Sequence, residues 1–242
     1  MEAVKAVGLT KKYKDVTAVD HLDLSVGEGE LLALLGVNGA GKTTTVRMLS
    51  CLSCPTEGEA FVCGHSVTEE SSAVKSVIGV SPQETAVAPN LSVRENLEFL
   101  AGVYGISKAE REKRISELSL RLGLKEVEKR KAGKLSGGWQ RRLSIAMALL
   151  PSPKVLFLDE PTLGLDVLAR AELWELVREL KGHITVILTT HYMEEAEALS
   201  DRVAIMKDGC LLGVDTVAGW KEKTGTERLE EAFIAVVKGE GK

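Results

Sequence analysis

The sequence predicts an α/β protein: a mostly parallel sheet flanked by helices, with an N-terminal antiparallel β region and an inserted helical subdomain. Three observations carry this prediction. Short apolar runs rich in Val, Leu and Ile recur along the 242 residues, helical patterns separate them, and one stretch, 92–150, reads as helix without strand. Strands alternating with helices build a parallel sheet with helices on its faces.

Residues 4–9 and 18–26 read as the opening strands. In the second, Val19, Leu22, Leu24 and Val26 partly alternate with Asp20, Asp23 and Ser25. Residues 31–35 are continuously apolar, as a strand covered on both faces must be. A Gly-rich turn follows, then a helix expected over 42–50. Further strands are expected at 77–80, 155–158, 184–188 and 203–206. Leu173, Leu176, Val177 and Leu180 recur at helical spacing, and Gly182 ends that pattern.

Within 92–150, Ser92 to Glu95 and Ser107 to Glu110 both have capping-box spacing. Val93, Leu97, Leu100 and Tyr104 then line one helix, and Ile115, Leu118 and Leu122 another. Residues 226–237 predict a short amphipathic helix through Leu229, Ala232, Phe233 and Val236, packed on the body.

Composition excludes several classes. Hydrophobic residues make up 44% and charged residues 27%, with a net charge of −4. These values are ordinary for a globular protein and give no field favouring nucleic acid. No apolar run approaches the ~20 residues that span a bilayer. Residues 1–13 lack the apolar core of a secretory signal, so a reducing compartment is expected. There, Cys51, Cys54, Cys63 and Cys210 are expected to be small, partly buried thiols. Cys51-Leu-Ser-Cys54 has metal or redox spacing, but no second pair or His follows at zinc-site spacing. Lys125, Lys129, Arg130, Lys131 and Lys134 form a basic stretch, read as a solvated face.

Gly36-Val37-Asn38-Gly39-Ala40-Gly41-Lys42-Thr43 fits G-x-x-x-x-G-K-[ST], placed after an apolar strand and before a helix. Its glycines let several backbone N–H groups face one centre, and the helix start adds a positive dipole end. Lys42 supplies a point charge for β- and γ-phosphates, and the Thr43 hydroxyl suits Mg²⁺. Such a site needs a second carboxylate. The apolar run 155–158 delivers Asp159 at a strand end, where ligands lie in open α/β sheets. Asp159 is the candidate metal ligand. Glu160 follows at once and is the candidate to polarise the attacking water.

With these residues in hand, the chain resembles the ATP-binding cassette (ABC) ATPases over nearly its whole length. Leu135-Ser136-Gly137-Gly138 matches the family signature and lies between the Gly-rich loop and Asp159 in the family's order. Gln83 matches the glutamine loop, residues 161–166 match the loop ending in Asp166, and His191 matches the switch histidine. Tyr13 matches the aromatic that stacks on adenine. The resemblance implies a P-loop NTPase core that binds ATP and Mg²⁺. It assigns nucleotide contacts to Tyr13, Gly36, Val37, Asn38, Gly39, Ala40, Gly41, Lys42, Thr43, Thr44 and Gln83. Metal contacts fall to Thr43, Gln83 and Asp159, and catalysis to Glu160 and His191. Leu135, Ser136, Gly137, Gly138 and Asp166 would act across a dimer, on the ATP held by the other copy. One departure is Trp139, where the family usually has Gln, so any contact made through that Gln is not carried over.

The resemblance further implies an ATP-binding domain over 4–225, its helical subdomain at about 84–150, and a tail over 226–242. It implies a homodimer, or a heterodimer with a similar cassette, when ATP is bound. The expected role is to power transport by a separate membrane permease from the cytoplasmic face, docking beside Gln83 and residues 87–104. The runs 191–202 and 225–233 look like bacterial drug- and sodium-extrusion exporters. The chain ends without the larger regulatory domain common in importers, so export is expected. The alternative is a soluble mechanochemical ATPase acting on nucleic acid or ribosomes. The interval from Lys42 to Leu135 is too short for a long coiled-coil insert, and one cassette per chain argues against the translation type. A module that has lost hydrolysis is disfavoured by Asp159, Glu160 and His191.

Overall fold

The computed structural model describes residues 1–239. Glu2–Tyr13 (β1) and Val16–Gly27 (β2) pair antiparallel and turn alternate side chains to the core, as a sheet covered on one face requires. Glu57–Val62 (β4) joins the other edge of β1, and the two-residue His65–Ser66 (β5) closes an antiparallel sheet of order β2-β1-β4-β5.

The second sheet is built on buried apolar runs. Leu31–Leu35 (β3), Ile78–Ser81 (β6), Val155–Asp159 (β7), Thr185–Thr190 (β8) and Arg202–Lys207 (β9) run parallel. Cys210–Asp215 (β10) adds an antiparallel edge, giving the order β10-β9-β3-β8-β7-β6. Every residue of β3, β7 and β8 is buried, because both faces are covered. Leu32 and Leu34 face the antiparallel sheet and the helix Lys42–Leu49 (α1). Leu31 faces the helical side.

The short helix Ser71–Val77 (α2) precedes β6. Val93–Val103 (α3), Lys108–Arg121 (α4) and Gly137–Leu149 (α5) pack around Leu97, Ile115, Leu143 and Leu149. Val167–Arg178 (α6) covers the same face through Leu173 and Val177. Met193–Leu199 (α7), Val217–Thr224 (α8) and Leu229–Lys238 (α9) cover Ala33, Leu35, Val203 and Ile205 with Ala196, Trp220 and Phe233. Among the described residues no helix is long and apolar enough to cross a membrane.

Sheet register aligns the functional strand ends. Leu35 is opposite Thr190, Asp159 opposite Thr189, and Ser81 opposite Leu158. Gly36, Glu160, His191 and Pro82 therefore leave the sheet at one edge.

Several elements differ from the sequence reading. β6 starts one residue late, because Val77 ends α2. β4, β5 and β10 lie outside the strands the sequence predicts: β5 has two residues, and β4 and β10 are short and bury few of their side chains. Tyr104 does not line the α3 core: it is the C-cap and 46% exposed. Ser92 and Glu95 form both halves of a capping box, whereas at Ser107 only the serine half is made. Cys51 and Cys63 are half-buried free thiols, but Cys54 and Cys210 are exposed.

Candidate active site

The loop between β3 and α1 curls because two glycines permit it. Gly41 has φ +100°, and a Cβ there would stand 2.5 Å from the Ala18 carbonyl oxygen. At Gly36 a Cβ would meet the Met206 carbonyl oxygen at 2.6 Å. Side chains at either position would push the loop off the sheet. Lys42 opens α1 and turns back under the loop, where Nζ donates to the carbonyls of Gly36 at 2.7 Å and Val37 at 3.2 Å. Burial holds the Lys42 ammonium below its ordinary pKa, opposed by Glu160, whose Oε1 lies 3.5 Å from Nζ. Val37, Asn38 and Gly39 stay exposed at the loop's tip.

Opposite this loop, β7 ends in Asp159 and Glu160, both buried. Asp159 Oδ1 accepts from the hydroxyls of Thr43, at 3.1 Å, and Thr189. A hydroxyl and a carboxylate side by side, with the Gln83 amide on the same cleft, form a hard oxygen donor set of the kind Mg²⁺ prefers. Glu160 takes φ +46°, a conformation costing a non-glycine residue about 1–3 kcal/mol. Its amide donates to both the carbonyl and the hydroxyl oxygen of Thr189, which holds the turn. His191, one residue past β8, places Nδ1 3.1 Å from Glu160 Oε2. A carboxylate can only accept, so Nδ1 carries the hydrogen in this contact.

These groups surround one cleft of about 550 Å³. Tyr13, Asn38, Gly39, Ala40, Gly41, Lys42, Thr43, Thr44, Gln83, Glu160 and His191 line it, as do Ala18 and Leu163. Asp159 reaches it through Thr43. The Tyr13 ring is half exposed, with Lys11 Nζ 5.1 Å from its centroid.

The second group of sequence candidates lies outside that cleft. Ser136 is the N-cap of α5 and leaves its side chain out of any capping bond, while Gly137 is exposed. The first turn of α5 thus presents backbone N–H groups to solvent, an anion-binding arrangement. The Leu135 side chain is buried in the helical core at the entry to α5. Asp166 caps its own helix, α6, accepting from the amides of Leu168 and Ala169 at 3.0 Å. Trp139 packs within its own chain, with the Arg142 guanidinium 5.1 Å over its ring. The five basic residues before the signature are all exposed.

Sequence reasoning missed Ala18, Leu163, Thr189, Arg141 and Glu195. None was singled out by a motif's chemistry, and Thr189, Arg141 and Glu195 matter through contacts distant in sequence. The Glu195 carboxyl is fully buried on α7, held by Trp174 Nε1 at 3.1 Å beside Thr190 and Thr162. Burial raises its pKa above the usual carboxylate range.

A strand, a Gly-rich loop and a helix start, facing paired acids at the end of β7 on the far side of β8, define a P-loop nucleotide-binding protein. The sequence profile described as ABC transporter matches residues 19–163. The daunorubicin resistance ATP-binding protein DrrA3 of Streptomyces coeruleorubidus is 42% identical over 229 residues, which cover 94% of this chain and 72% of that one. A solved ATP-binding subunit of an ABC transporter superposes with a TM-score of 0.87 at 27% identity, covering 97% of this chain and 99% of the other. The ATP-binding cassette MJ0796, solved as a dimer in a post-hydrolysis state with ADP and Pi, gives 0.79 at 30% identity, with 88% and 98% covered. The chain belongs to the ABC transporter family, as an ATP-binding subunit of ABC-ATPase type.

Proposed function

We propose that the chain hydrolyses ATP between two cassettes and so drives a separate membrane permease, exporting a drug-like molecule or an ion. The observation that carries this reading is a division of labour. One cleft gathers Lys42, Glu160 and His191, with Asp159 behind Thr43, while the anion-binding start of α5 faces solvent outside it. A second copy related by two-fold symmetry can bring that helix start to the first copy's cleft, and two such sites form at once.

In this reading Tyr13 stacks on the adenine, and the amides of 36–44 with Lys42 hold the β- and γ-phosphates. Thr43, Asp159 and Gln83 would hold Mg²⁺, which would supply positive charge against that developing on the phosphates. Glu160 accepts the hydrogen bond of the attacking water. His191 keeps Glu160 oriented through Nδ1 and faces the γ-phosphate. Ser136, Gly137 and Gly138 close on that phosphate from the other copy. Asp166, having capped α6, sits at the edge of the same interface.

Domain limits follow the same reading: an ATP-binding domain over 4–225, with 84–150 as its helical part. Residues 226–242 are a tail, of which 240–242 lie outside the described residues. Docking falls on an apolar groove of about 490 Å³ lined by Leu52, Pro82, Ala86, Leu100, Val103 and Tyr104, beside the Gln83 loop. Phe99, on the same helix, is 64% exposed. In this reading the protein sits peripherally on the cytoplasmic side of a membrane. Affinity purification from detergent-treated membranes tests the reading. A co-purifying multi-span protein is expected, and ribosomes or DNA in its place would contradict it.

A further inference from the structure

Arg141 has no part in the chemistry above, yet it is a buried cation, 5% exposed, on the first turns of α5. Its guanidinium is aimed at backbone. Nη1 donates to the Pro82 carbonyl and Nη2 to the Gln83 carbonyl, both at 2.6 Å. Burial holds its pKa below the ordinary arginine value, with Asp159 and Glu195 acting in the opposite direction from a longer range. A buried charge persists only where its donors are satisfied. A planar fork with two parallel donors suits two successive carbonyls, whereas an ammonium is a single point charge.

The contact is the last of three rungs joining α5 to β6 and the loop after it. A Cβ at Gly79 would stand 2.1 Å from the Ala148 carbonyl, so strand and helix touch there. Ser81 and Ser144 hydroxyls bond at 2.8 Å. Arg141 then grips Pro82 and Gln83. Beyond it, Gln140 donates to the carbonyls of Ala132 and Leu135, bracing the segment that enters the signature. The Gln83 side chain lines the nucleotide cleft, and α5 begins with Ser136 as its cap.

We propose that Arg141 is a positioning residue that locks the Gln83 backbone to the signature helix, so that a shift of Gln83 on nucleotide binding re-aims Ser136, Gly137 and Gly138 of the same chain. This deepens the shared-site reading and rests on it. Apart from Gln83, the cradle for the chain's own ATP lies on the Gly-rich loop, α1 and the ends of β7 and β8, so loss of the fork separates two properties: nucleotide binding by one chain largely persists, and ATP-driven pairing weakens. Couplings between sites span about 5- to 150-fold in affinity.

The test uses the full chain carrying Glu160→Gln, which keeps ATP intact. Arg141→Lys and Arg141→Gln are added singly. A fluorescent ATP analogue reads monomer binding at low protein concentration. Analytical ultracentrifugation with Mg-ATP reads the dimer constant, and thermal unfolding reads folding. Arg141→Lys keeps charge and length but loses the fork. It is expected to bind nucleotide within about twofold of its parent and to dimerise about tenfold or more weakly. Arg141→Gln is expected to do the same if it folds. Dimerisation of Arg141→Lys within twofold of the parent would overturn the proposal. So would a parallel fall in nucleotide affinity and unfolding temperature, which marks a merely structural arginine. A parent that binds ATP but does not pair refutes the shared-site reading itself, and the proposal with it.

Discussion

Glu160→Gln removes one negative charge and one acceptor while keeping shape and volume. The structure says what else changes. The Glu160 amide stays bonded to Thr189, so the turn at φ +46° holds and the side chain keeps its direction. His191 loses a charged acceptor at 3.1 Å and gains a neutral amide. Lys42 loses its carboxylate partner at 3.5 Å, but keeps the carbonyls of Gly36 and Val37. Breaking a buried ion pair costs about 3–5 kcal/mol when the remaining charge is stranded. Two carbonyl bonds make this loss smaller, so the fold is expected to survive with an unfolding temperature a few degrees lower. Catalysis falls much further. General-base assistance contributes ~10²–10⁴-fold, about 3–5 kcal/mol on the barrier. Phosphate release under saturating Mg-ATP is therefore expected to drop at least about a hundredfold. ATP affinity should hold or rise, because Lys42 no longer divides its charge between Glu160 and phosphate. Turnover within threefold of the parent, in protein shown folded by its melting curve, would remove Glu160 from the water-activating role.

Two further outcomes follow from the same site. Lys42→Ala deletes a charge-assisted donor worth about 1.5–3 kcal/mol, so ATP affinity by calorimetry should fall about 10- to 100-fold; unchanged affinity would contradict the cradle assignment. Glu195→Gln tests the buried carboxyl. Because the folded state raises the Glu195 pKa, the unfolded chain loses this proton first as pH rises past about 4.5, and Glu195 then favours unfolding. Gln has no proton to lose, so its advantage over the parent in unfolding temperature should grow from pH 4.5 to pH 7.5, while an advantage that shrinks would mean that Glu195 is ionised and paired, for which Arg170 is the nearby cation.

Legibility in the sequence followed contiguity. The Gly-rich loop is one unbroken segment whose backbone makes the site, so eight consecutive residues declared it. Asp159 and Glu160 were readable because a wholly buried strand is apolar until the point where it meets the ligand. His191 needed the family resemblance, since a lone histidine after a strand has many structural uses. The supporting residues were not readable. Thr189 matters because β7 and β8 are in register, bringing its hydroxyl to Asp159. Arg141 stands beside Arg142 in sequence, and its carbonyl partners Pro82 and Gln83 come together with it only through the α5–β6 contact. Glu195 lies beside Glu194 and near Glu197 in sequence, and only the fold shows that it is buried. Leu135 belongs to the signature by sequence, and only the fold shows that its side chain packs in the helical core.

The shared-site claim is tested most directly by light scattering on the Glu160→Gln protein with and without Mg-ATP. A doubling of mass with one ATP retained per chain, abolished when Gly138→Asp puts a carboxylate at the start of α5, is the predicted result. A protein that saturates with ATP and stays single would contradict it.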